Sequence, residues 1–104
     1  MSEYPRISYP PDPPEGADYT MRGWTAGVFV EVAAGTTFEL EFYDPVRFAQ
    51  DIVSELAHEP AVPLSNVVVV ARVTRGSIRD AVTYLHFATD YFTNRAVRVP
   101  ATGS

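Results

Sequence analysis

The sequence predicts an α+β fold: a β-β-α-β-α two-layer unit whose small, mostly antiparallel sheet carries both helices on one face. Three observations lead there. Apolar and polar residues alternate through residues 24–43 on either side of a glycine, which is the period of two half-buried strands and a turn. A helical period starts at Asp44-Pro45, and four consecutive valines, Val67 to Val70, lead into a second helical pattern.

With 104 residues the chain suits one domain with one core. Residues 1–23 hold five of the nine prolines. Proline fixes φ and removes a donor, so this stretch is expected to be an arm, partly disordered or packed on the surface. Pro10 with Pro13 and Pro11 with Pro14 have the spacing of a PxxP ligand, and Tyr4, Ile7, Tyr9 and Tyr19 are available to pin the arm down. The folded domain is assigned to residues 24–93 and a tail to 94–104.

In the first strand, residues 24–33, Ala26, Val28, Val30 and Val32 share one face, with Phe29 and Glu31 on the other. In the second, residues 37–43, Phe38, Leu40 and Phe42 oppose Glu39, Glu41 and Tyr43. This hairpin has one apolar face that needs a cover. The first helix is expected to provide it: Asp44 is a good N-cap and Pro45 suits the first helical position. At about 100° per residue, Phe48, Ala49, Ile52, Val53 and Leu56 fall on one broad side, and the helix ends before Pro60.

The valine run does not alternate and reads as a third strand buried on both faces. A right-handed crossover through the first helix is expected, placing this strand at an edge, antiparallel beside the first strand. Thr74 or Ser77 caps the second helix. Ile78, Val82, Leu85 and Phe92 form its sheet-facing stripe, while Tyr84, Phe87 and Tyr91 lie on nearly the opposite side, where solvent is expected. Those three aromatics, with Trp24 and Phe29 on the sheet, form the candidate interface.

The net charge is −5, with all eight basic residues arginine and no cysteine. An arginine-only basic set with many Ala, Val and Pro is expected of a GC-rich bacterial genome. Lacking cysteine, the chain has no disulfide framework, thiol nucleophile or thiolate metal site. Residues 1–60 carry eleven acids against three arginines, whereas residues 61–104 carry two acids against five; such a split steers association. The acidity and the absence of lysine disfavour nucleic acid as a partner. There is no basic-then-apolar leader and no run near the roughly 18 apolar residues of a membrane helix. A cytoplasmic protein without membrane contact is expected.

One stretch resembles a site for chemistry. A strand end, a glycine turn and a helix start bring together Arg72, Arg75, Gly76, Ser77 and Arg79, a candidate anion-binding turn. It is neither a P-loop nor a dinucleotide fingerprint. Glu31, Glu39 and Glu41 fit a solvated sheet face, and His58 and His86 are isolated, so no catalytic residue, metal site or cofactor is predicted. The expected function is that of a non-catalytic protein-interaction module acting as a homodimer, with a second protein as a further partner. The alternative is a small-molecule enzyme or ligand-binding protein that uses the arginine turn.

Overall fold

The computed structural model describes residues 3–10 and 22–99. The two PxxP pairs and Tyr19 therefore lie wholly or partly outside the described residues. The elements run β1 (Arg6–Ser8), β2 (Trp24–Ala33), β3 (Thr36–Tyr43), α1 (Pro45–Leu56), β4 (Val67–Val69) and α2 (Arg75–Ala88), followed by a π-helical turn (Tyr91–Arg95). The class is α+β. The sheet has four strands in the order β1-β2-β3-β4 and is mostly antiparallel, with a parallel β3–β4 pair.

The β2–β3 hairpin forms where the alternation places it, turning at Gly35 with φ +79°. Phe38, Leu40 and Phe42 are all buried, as are Val28 and Val30 across from them. One detail of β2 differs from strict alternation. A register shift lies between Thr25 and Val28, where Gly27 takes φ +73°. This is a β-bulge, in which an extra residue is accommodated by a backbone conformation that glycine tolerates. Thr25, not Ala26, consequently faces inward and is buried.

Strand placement departs from expectation in two ways. The third predicted strand, β4, does lie at an edge, but beside β3 and parallel to it: Glu41, Phe42 and Tyr43 pair with Val67, Val68 and Val69. A helical connection returns the chain to the end of the sheet where it began, so the two strands it joins run the same way. The place beside β2 is taken by Arg6–Ser8, whose Ile7 pairs with Val30 and packs against the core. The arm thus supplies a strand that its prolines concealed. Nor is β4 buried on both faces, since Val69 is exposed.

α2 covers the apolar face. Thr74 caps it, Ile78 and Val82 are buried, and the core closes with Val73 and Phe92. α1 begins as predicted, with the Asp44 carboxylate accepting from the Arg47 N–H at 2.7 Å and Pro45 in the first turn. It does not join this core, and none of its residues is buried. It meets the sheet through Phe48 on Tyr43, ring centroids 5.7 Å apart, and through Arg47 over Trp24 at 5.5 Å. Alternation puts Tyr43 and its pair Trp24 on the side of the strands away from Phe42. The cover of the hairpin's apolar face therefore comes from α2, not from the two helices together.

α2 also ends earlier than its pattern suggested. Thr89 leaves the helix in an extended conformation and its hydroxyl donates to the Leu85 carbonyl at 2.7 Å. The π-helical turn then carries Phe92 back onto Phe38.

Candidate functional site

At the arginine turn, local groups satisfy much of what an anion would use. The Ser77 N–H donates to the Thr74 Oγ1 at 3.0 Å, and the Ile78 N–H to the Thr74 carbonyl at 2.9 Å. The Arg75 guanidinium stands over the Tyr9 ring at 5.0 Å, the Tyr9 hydroxyl donates to the Arg75 carbonyl at 3.4 Å, and Arg79 sits 3.6 Å from Asp80. Arg72 is exposed, while Gly76 and Ser77 are half-buried in the first turn of α2. Helix stability here depends on the Thr74 hydroxyl. Thr74→Ala is expected to lower the unfolding free energy by about 1 kcal/mol, measured by urea denaturation.

The five interface residues do not converge. Tyr84 and Phe87 are 62 % and 66 % exposed on adjacent turns of α2, with the His86 ring edge-on to Phe87 at 4.6 Å. Phe29 is 38 % exposed and pairs with Glu39 and Ser8, on the strand face opposite Val28 and Val30. Because α2 packs on the Val28–Val30 side, the Tyr84–Phe87 surface and Phe29 lie on opposite sides of the sheet. Trp24 is half-buried, stacked on Tyr43 at 6.2 Å with Arg22 and Arg47 over its ring. Tyr91 packs against the core's margin, and its buried hydroxyl has no hydrogen-bond partner among the described residues. Burial raises its pKa above the usual phenolic value.

The sequence reading missed a third apolar surface, on the connection from β3 to β4. Val46 and Val53 are 68 % and 70 % exposed, and Leu56, Leu64 and Val69 are exposed too. Val46, Ala49, Val53 and Leu56 recur at helical spacing and make one stripe along α1. The inner side of α1, with Phe48 and Ile52, borders a hollow of about 260 Å³ that also touches Glu41, Tyr43, Val62 and Val67. The stripe thus belongs to a helix whose inner side runs on to β4.

The hollow has little reactive chemistry. The Tyr43 hydroxyl donates to Glu41 Oε2 at 3.3 Å, and burial, helped by the charges of Glu41 and Asp51, raises its pKa. It is held protonated, as a donor rather than a nucleophile. Among the described residues no three His, Cys, Asp or Glu side chains are grouped to hold a metal ion, and no helix is long and apolar enough to cross a membrane. Comparison of the chain with protein-family models, curated proteins and solved structures finds no match, leaving its surface as the ground for a functional reading.

Proposed function

We propose that this protein is a non-catalytic interaction module that assembles as a homo-oligomer. The observation that supports this reading is α1: twelve residues, strongly two-sided, with none buried. A helix of that length is marginal in water by itself and normally owes its stability to packing of its apolar face. Here half of that face, the Val46–Val53 stripe, is open. A second protein surface against it removes apolar area from water, at roughly 25 cal/mol per Å². The exposed Tyr84 and Phe87 provide a separate surface on the other helix, suited to a further protein partner.

Sedimentation at micromolar concentration tests the reading. The wild-type chain, 11.5 kDa, is expected to sediment as a multiple of that mass, and Val53→Asp to shift it toward the monomer with its far-UV circular dichroism unchanged. A chain that stays monomeric throughout the micromolar range removes the proposal.

A further inference from the structure

We infer that two copies of this chain join through β4, edge to edge and antiparallel, about a two-fold axis at Val68. The inference rests on the homo-oligomer reading above and specifies its contact.

The backbone of β4 is arranged for such a contact. Its ladder to β3 runs from the Glu41 N–H to the Asn66 carbonyl at 2.9 Å and from the Val70 N–H to the Tyr43 carbonyl at 2.8 Å. In a parallel pair alternate residues bond to a given neighbour. Val68 therefore turns its N–H and C=O toward β3, and Val67 and Val69 turn theirs outward. Among the described residues no strand lies beyond β4.

Self-pairing fits that pattern. Antiparallel about Val68, Val67 of each copy meets Val69 of the other, and both residues have outward-directed groups. Each such pair exchanges two hydrogen bonds, and the Val68 residues form the close, non-hydrogen-bonded pair between them. The same patch serves both copies, as a two-fold contact requires.

Charge favours a second copy as the occupant. The chain carries −5 overall, yet residues 60–71, PAVPLSNVVVVA, contain no charged residue. Two acidic molecules can meet along this seam without opposing carboxylates, whereas a strongly charged partner finds no complement there. The other edge differs. Pro5 and Pro10 flank β1, and the exposed Arg6 pairs with Glu3 at 2.6 Å. Prolines and charge are the devices that keep edge strands from pairing, and β4 has neither within its span. The inner side of α1 stands beside the same strand, with Phe48 and Ile52 bordering the hollow that also touches Val67.

The chain has no cysteine, so one introduced thiol reports one contact. Val68→Cys is expected to give a covalent dimer under mild oxidation, because the close antiparallel pair brings Cα atoms within the range a disulfide spans. Tyr84→Cys, on α2, is expected to stay uncross-linked. Val69→Asp is expected to raise the dimer dissociation constant roughly tenfold or more, because it sets a carboxylate against Val67 of the other copy in a seam with no charge to pair it, and it decides the matter if Val68→Cys does not fold. An oligomeric wild type that cross-links through Tyr84→Cys and not Val68→Cys, or a folded Val69→Asp that remains fully dimeric, overturns the β4 contact and leaves the homo-oligomer reading standing. A monomeric wild type overturns both.

Discussion

Phe38→Ala is expected to lower the unfolding free energy by about 3–5 kcal/mol, the range for truncating a large buried aromatic. Phe38 is buried among Val30, its pair on β2, and Phe92, whose ring lies 5.0 Å away at a tilt of 53°. Its backbone forms the bridge to Arg98. The side chain therefore joins the hairpin, the π-helical turn and the C-terminal segment. Its neighbours come from elements that cannot all close in on the vacated volume, so most of the cavity remains. Against the total of roughly 5–15 kcal/mol typical of a domain, such a loss is large. Urea denaturation followed by far-UV circular dichroism checks it, with the midpoint falling and the slope unchanged; a loss below about 1 kcal/mol would mean that Phe38 is not in a closed core.

Asn66→Ala is expected to cost about 2–4 kcal/mol, unusually much for a side chain outside the core. The Asn66 amide nitrogen donates to the Glu39 carbonyl at 3.0 Å and to the Val97 carbonyl at 2.6 Å, and its oxygen accepts from the Val97 N–H at 2.7 Å. With φ +58°, Asn66 occupies a backbone region that asparagine enters far more readily than alanine. It spans the gap along β3 between β4 and the C-terminal segment, whose Val99 N–H donates to Thr37 at 2.9 Å. Amide exchange at Val97 and Val99 should quicken in the variant by more than at the core amides of β2. Asn66→Gly separates the causes: it tolerates the backbone conformation, so its loss is expected to fall short of alanine's by the backbone share. Equal losses would assign the whole effect to the hydrogen bonds.

What was legible in the sequence is what short-range physics decides. The hairpin follows from alternation around Gly35, and the helix starts follow from Asp44-Pro45 and Thr74, because a cap acts within one turn. Partner choice among strands is decided by distant residues. Nothing within NVVVV says whether it pairs with β2 or β3, and the proline-flanked Arg6–Ser8 has no strand pattern of its own. Two missed features did leave a trace: Gly27 inside an alternating run signals a bulge, and an asparagine heading a valine run suits a positive φ.

The candidate surface divides the same way. Tyr84 and Phe87 lie at helical spacing and are exposed as that period implies. Tyr91 leaves the set because the helix ends at Ala88, after which a phase counted at 3.6 residues per turn no longer applies. On α1 the wheel located the apolar side correctly but could not tell which half meets the sheet. That depends on how the helix lies across Tyr43 and Trp24, a relation between elements that no local pattern encodes.

The unlike edges of the sheet set the stoichiometry of any assembly built on β4. If each chain offers one open edge and one guarded by Pro5, Pro10 and Arg6, joining two open edges leaves only guarded ends facing outward. Growth then stops at two, and a sheet that would otherwise template a fibre becomes a closed pair whose size is fixed by residues 5–10.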